Sequence, residues 1–119
     1  MATRQDVREA VRGLLSDLPV VHPVTAFEVP GILVRTPTEE ALDEGFETQL
    51  SIETVAFHNS EDEVDALLAE VELAFAADET IGGTVRSLEF ATYELTVDED
   101  DGVHAGVQTW TAIPTLRRR

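Results

Sequence analysis

Cysteine does not occur in the 119 residues, which excludes a disulfide framework and a thiolate metal site. Lysine does not occur either: all eight basic residues are arginine, set against 24 acidic ones, for a formal net charge of −16. A surface that grips phosphates needs clustered cations, so this balance argues against nucleic-acid binding. No apolar run approaches the roughly 20 residues needed to cross a bilayer, and no membrane partner is expected. The opening Met-Ala-Thr-Arg-Gln-Asp has no apolar stretch and does not read as a secretory signal. The expected place of synthesis and use is therefore the cytoplasm, or a particle assembled there. Dense carboxylates without lysine suit a strongly hydrated surface in molar salt, where the Debye length is only about 3 Å. The composition therefore points to a halophilic host.

What remains is a globular composition, 43 % hydrophobic, in a length that suits one domain spanning 1–119. The stretch from His58 to Val97 organises the chain. Ser60 and Glu63 have the spacing of a capping box, and Glu61 and Asp62 add negative charge at the positive end of the helix dipole. Val64, Leu67, Leu68, Val71 and Phe75 then recur at helical spacing. Asp78 to Gly83 ends this helix through two adjacent glycines. Thr84 to Val97 reads as a long strand in which Leu88 and Phe90 take one parity, and Ala91, Tyr93, Leu95 and Val97 the other, so a bulge is expected. Asp98 to Gly102 is a hairpin turn and Val103 to Ile113 its partner strand.

Upstream, Thr3 caps an amphipathic helix of about four turns that carries Val7, Ala10, Val11, Leu14, Leu15 and Leu18 and is ended by Pro19. Gly13 is either a weakness in it or a point of close packing. Arg4, Arg8 and Arg12 form a basic stripe, read as a solvated face pairing with Asp6 and Glu9 or as a contact with an acidic neighbouring subunit. Residues 19–24 form an extended connector. Thr25 to Thr36 reads as an edge or bulged strand interrupted at Pro30-Gly31, Pro37 to Gly45 as a long acidic loop, and Phe46 to His58 as the second strand. In that strand Val55 and Phe57 oppose Leu50 and Ile52, which implies a bulge near Glu53 or burial on both faces. The expected architecture is α+β: a four-stranded, mainly antiparallel sheet in helix-hairpin-helix-hairpin order, with two helices packed on one face.

Motifs for chemistry are few. His22, His58 and His104 share no metal-ligand spacing, so no metal and no cofactor is expected. Asp98 to Gly102 resembles the start of a calcium loop, but its glycine falls one place early and Thr109 stands where a bidentate Glu belongs. Gly82-Gly83-Thr84 lacks the lysine of a phosphate loop, and no nucleophile motif is present. The chain is not expected to be an enzyme. A small hydrolase would need two histidines and a carboxylate to converge. Interaction features stand out instead: Glu39, Glu40, Asp43 and Glu44 in the acidic loop, and Arg117, Arg118 and Arg119, which oppose the charge of the body and suit an acidic neighbouring copy. Trp110 is expected in the core or on a sheet face.

In this order, Val-Arg-Gly-Leu-Leu in the first helix, Val-Ala-Phe-His closing a strand, Glu-Val-Asp-Ala-Leu-Leu-Ala-Glu-Val-Glu, Asp-Glu-Thr-Ile-Gly-Gly-Thr-Val and Leu-Glu-Phe-Ala-Thr-Tyr-Glu-Leu resemble the tail terminator (tail completion) proteins of lambda-like long-tailed viruses. With the lysine-free composition, the resemblance suggests a virus of halophilic archaea. It implies a hexameric ring at the tail–neck junction of the virion that caps the tube of major tail protein. Such a ring meets the neck or head connector on its other face and passes DNA through its lumen without reading it. The acidic loop and the terminal arginines are the expected ring and tube contacts. Another head–tail joining protein, or a cytoplasmic α+β domain that binds a small ligand, are the alternatives.

Overall fold

Two short segments that the sequence joins through Arg35, Thr36 and Pro37 run one after the other along the same side of one long strand. The computed structural model describes residues 3–21, 29–42 and 47–114. In chain order they form α1 (Arg4–Leu14), β1 (Val20–Val21), β2 (Gly31–Val34), β3 (Thr38–Leu42), β4 (Glu47–His58), α2 (Glu61–Ala77), β5 (Val85–Asp98) and β6 (Val103–Pro114). The sheet runs β1-β2-β4-β6-β5, with β3 also paired to β4. All pairings are antiparallel except the short β1–β2 contact, which is parallel. The α+β class and the mainly antiparallel sheet agree with expectation. The sheet has six strands rather than four, however, and the simple helix-hairpin-helix-hairpin order gains β1 and β3.

Both additions come from segments too short or too polar to show a strand pattern. Val20 and Val21, in the expected connector, pair with Ile32 and Leu33. Thr38 to Leu42 falls in the expected acidic loop, yet it pairs residue for residue with Ser51 to Glu47. Backbone pairing on an edge needs no apolar side chain, and charges there discourage unwanted pairing. β2 sits between β1 and β4, so the expectation of an edge strand is corrected; residues 25–28 of the expected strand, and 22–24 of the connector before it, lie outside the described residues.

α1 begins as expected. The Thr3 hydroxyl accepts from the Asp6 amide at 3.0 Å and the Thr3 amide donates to the Asp6 carboxylate at 2.9 Å. The helix ends at Leu14, earlier than Pro19, because Leu15 leaves helical geometry as the C-cap and Ser16 to Leu18 turn the chain. Arg8 corrects the solvated-stripe reading. It is buried, and its Nε donates to the Val34 carbonyl at 2.8 Å, tying α1 to β2. Arg12 does pair with Glu9, at 3.4 Å.

α2 lies over the same sheet face as α1, and Val64, Leu68, Val71 and Phe75 meet Ile52, Ala56 and Trp110 in one core with Val7, Val11 and Leu15. At Gly106 helix and sheet approach closely: a Cβ there would lie 2.5 Å from Val64 Cγ1 and 2.9 Å from Leu68 Cδ1. The expected capping box is half formed, because Ser60 accepts from the Glu63 amide at 3.3 Å while the Glu63 carboxylate turns to His58. β4 holds its register through Glu53 without a bulge, and Thr54, Val55 and Ala56 are all buried, so its mixed parity reflects burial on both faces. β5 does shift register between Phe90 and Thr92.

Candidate assembly surface

The bulge in β5 decides what this strand displays. Leu88 and Phe90 lie opposite Ala112 and Trp110; beyond the shift, Tyr93, Leu95 and Val97 lie opposite Gln108, Gly106 and His104. Side chains directly opposite in an antiparallel pair share a face, so one extra residue brings both parities to the helix side. Among the described residues β5 pairs only with β6, and α2 covers the centre of the sheet, so this row is half open. Phe90, Tyr93 and Val97 are exposed, as is Leu73 on α2.

Between α2 and β5 lies a groove. A cavity of about 210 Å³ in it is lined by Asp65, Ala69, Glu72, Phe90, Tyr93 and Gln108. A second, of about 120 Å³, continues past Glu72 to Glu79, Leu88 and Trp110. Asp65 and Glu72, seven residues apart, mark one side of α2, and Glu79 follows in the turn beyond its end. The floor is aromatic: Trp110 sits edge-on between Phe75 and Phe90, with ring centroids 4.9 and 5.4 Å away. The expectation of a sheet-face Trp110 holds.

The polar groups of the groove are incompletely matched. The Tyr93 hydroxyl donates to Asp65 Oδ1 at 2.9 Å and Gln108 Nε2 to Glu72 Oε1 at 2.9 Å. Gln108 Oε1 and Trp110 Nε1 have no partner among the described residues, although both residues are at least nine-tenths buried. The Tyr93 phenol is pushed up to about 12, first by burial, then by its hydrogen bond to Asp65 and the charges of Asp65 and Glu61. Asp65, Glu72 and Glu79 make the lining of the groove acidic.

Of the residues singled out in the sequence, Glu39 and Glu40 are exposed on β3, opposite Leu50 and Gln49, and point to opposite faces. Asp43, Glu44, Arg117, Arg118 and Arg119 lie outside the described residues, as does His22. Folding brings two histidines together: His58 and His104 are direct cross-strand partners. Each ring is engaged locally. His58 Nδ1 faces both the Glu63 carboxylate and the Asn59 amide, the latter at 2.8 Å, and one nitrogen cannot donate to the first while accepting from the second. His104 Nδ1 lies 3.1 Å from the Gly102 carbonyl. Among the described residues, no group of three His, Asp or Glu side chains is placed to hold a metal ion. The Asp98–Gly102 segment is the expected hairpin tip, with Asp98 accepting from the Asp100 amide at 2.9 Å and Asp101 from the Val103 amide at 3.0 Å.

The groove escaped the sequence reading, although one signal for it was present: the switch of parity in β5 that places Phe90 and Tyr93 on one face. No protein-family model and no curated protein matches the chain. Among solved structures, it is similar to a chain of one described as the virion of a native gene transfer agent particle, with 12 % identity, 95 % of this chain and 94 % of that chain covered, and a TM-score of 0.49. At that level of likeness, nothing about function carries over from it.

Proposed function

We propose that the chain is a structural virion protein, not an enzyme, which caps the tail tube as a ring, ends tube polymerisation and joins the tail to the neck or head connector. The observation that carries this reading is the surface along α2 and β5. There a strand edge left unpaired among the described residues and exposed Leu73, Phe90, Tyr93 and Val97 leave apolar area for a protein neighbour to cover. The shape supports the same reading: the long axis measures 50 Å against 28 and 25 Å. The radius of gyration is 14.7 Å, where about 13.5 Å is usual for this length. The sequence resemblance to tail terminators supplies the specific role, a hexamer at the tail–neck junction with DNA passing unread through its lumen, in a virus of halophilic archaea. Another head–tail joining protein would share the surface but is expected to be a small β-barrel without a long central helix.

A second reading, a cytoplasmic domain for a small ligand, draws on the cavity of about 330 Å³ lined by Phe57, Thr96, Asp98, Asp101, Val103 and Ala105. That volume is at the lower end for ligand sites, about 300–1,000 Å³.

The test is the mass of the protein in about 2–3 M KCl, where self-repulsion is screened, alone and with the tube protein encoded beside it. A ring of six, or tubes whose length becomes capped, supports the terminator. A strict monomer that leaves tube growth unchanged overturns it and shifts the weight to ligand binding.

A further inference from the structure

We propose that the groove between α2 and β5 receives the arginine segment Arg117–Arg119 of a neighbouring copy. The proposal rests on the ring reading above and adds to it which surface is the socket and which segment enters it.

Charge is the first argument. Three of the eight basic residues stand consecutively at 117–119, while the chain as a whole carries −16. Asp65, Glu72 and Glu79 flank a groove floored by Phe90, Tyr93 and Trp110. A guanidinium can stack its flat face on an aromatic ring while its edge donates to a carboxylate. Lysine would lose the stacking and the bidentate geometry. The spare groups agree: Asp65 and Glu72 each spend one carboxylate oxygen on Tyr93 and Gln108. Their second oxygens remain to accept from arginine. The unpartnered Oε1 of Gln108, on a side chain only 3 % exposed, is an acceptor in the floor of the same groove.

Reach is the second argument, and it selects a neighbouring copy over the same chain. Gln108 lies six residues before Pro114 on β6, about 20 Å back along the strand. Arg119 lies five residues beyond Pro114, but turning back uses at least two of them, so the remaining three return about 10 Å and the arginine side chain adds about 6 Å more. A chain's own arginines therefore fall short of its own Asp65–Tyr93 end. A donor copy placed head to tail has no such limit, and head-to-tail contacts are those that close rings.

The natural chain has no cysteine, so engineered thiols report without background. Copies carrying Ala69→Cys, an exposed position in the groove, are mixed in about 2–3 M KCl with copies carrying one cysteine appended after Arg119. Disulfide formation is then read on a non-reducing gel, and mass is read on the same mixture. The expected result is a dominant groove–tail dimer, at least tenfold above that formed with Ser16→Cys, an exposed site remote from the groove. Reversing the tail (Arg117→Glu, Arg118→Glu, Arg119→Glu), which leaves every described residue untouched, should lower the yield by at least tenfold. A ring that assembles with no groove–tail dimer overturns this inference and leaves the ring reading standing. A strict monomer with no crosslink overturns both.

Discussion

Gly13 and Gly106 are both glycines within regular elements, and their surroundings give them opposite expected responses to an added methyl group. At Gly13 a Cβ meets nothing within 4 Å, so the residue only weakens α1. Gly13→Ala should stabilise the fold by about 0.5–1 kcal/mol, read as a rise in the urea midpoint at unchanged slope. At Gly106 the methyl would press on Val64 and Leu68, both buried on the inner face of α2, so the helix or these side chains must shift to make room. Gly106→Ala should cost about 1–3 kcal/mol in the same experiment. Tyr93, the only tyrosine, gives a direct view of the groove. Its ultraviolet titration should have a midpoint near 12 rather than 10.0, and Asp65→Asn should move it down. The sign follows from the direction of the shift. A phenol whose folded value is raised contributes stability that is complete below the unfolded value near 10.0 and is lost as pH rises toward 12. A midpoint near 10.0 that ignores Asp65→Asn would mean that the two groups do not meet.

Between α2 and β5 the chain reverses in six residues, Asp78 to Gly83, and three of them in a row take positive φ: Ile81 at 48°, Gly82 at 65° and Gly83 at 81°. The glycines do so freely, whereas an isoleucine there is strained. Two things hold Ile81: its side chain is fully buried in the core, and Asp78 accepts from the Thr80 hydroxyl and the Thr80 and Gly82 amides. Those bonds, the Thr80 hydroxyl foremost, keep the Asp78 carboxyl below its usual range. Ile81→Ala should cost about 2–5 kcal/mol through lost burial. Ile81→Gly should be no worse than Ile81→Ala, although glycine ordinarily trails alanine by about 0.5–1 kcal/mol; a clearly weaker Ile81→Gly in thermal unfolding would show that the turn carries no strain. This turn also shows what could be read from sequence. The paired glycines announced it, but nothing in the residue pattern marked Ile81 as part of the left-handed run. Elements with a strong period were legible in the same way: α2, the bulged β5 and its partner β6 fall where Leu68, Phe90 and Trp110 place them. Elements defined by pairing alone were not. Glu39 and Glu40 look like loop residues because β3 is held by the backbone of β4, and Arg8 looks like a surface residue because its partner is the carbonyl of Val34, 26 positions away. The groove was only hinted at by the parity switch in β5, since it exists only once α2 lies over the sheet beside Tyr93.

At the scale of the molecule, the charge of −16 is spread over a thin body whose short axes are 28 and 25 Å, so most carboxylates feel several others within a Debye length at low salt. Self-repulsion of this kind opposes the compact state, and it weakens as the Debye length falls from about 10 Å at 0.1 M to about 3 Å at 1 M. Few arginines offset it locally: Arg35 meets Glu53 at 3.2 Å, with the arginine side chain 58 % exposed, a pair of a kind that contributes under about 1 kcal/mol. Thermal unfolding followed by circular dichroism should therefore show the midpoint rising between about 0.1 and 1 M KCl, where screening changes most. If screening is the cause, choline chloride at equal ionic strength should raise the midpoint nearly as far as KCl. A large gap in favour of KCl would assign the effect to hydrated potassium at the carboxylate surface, and a flat response to both would remove the physical basis for a halophilic host. The same titration bears on assembly, because neighbouring copies that share this charge repel until salt screens them, while contacts enclosed in the α2–β5 groove are screened least. Salt that stabilises the monomer should then also promote association, and the two midpoints, of unfolding and of mass, should rise over the same range of concentration.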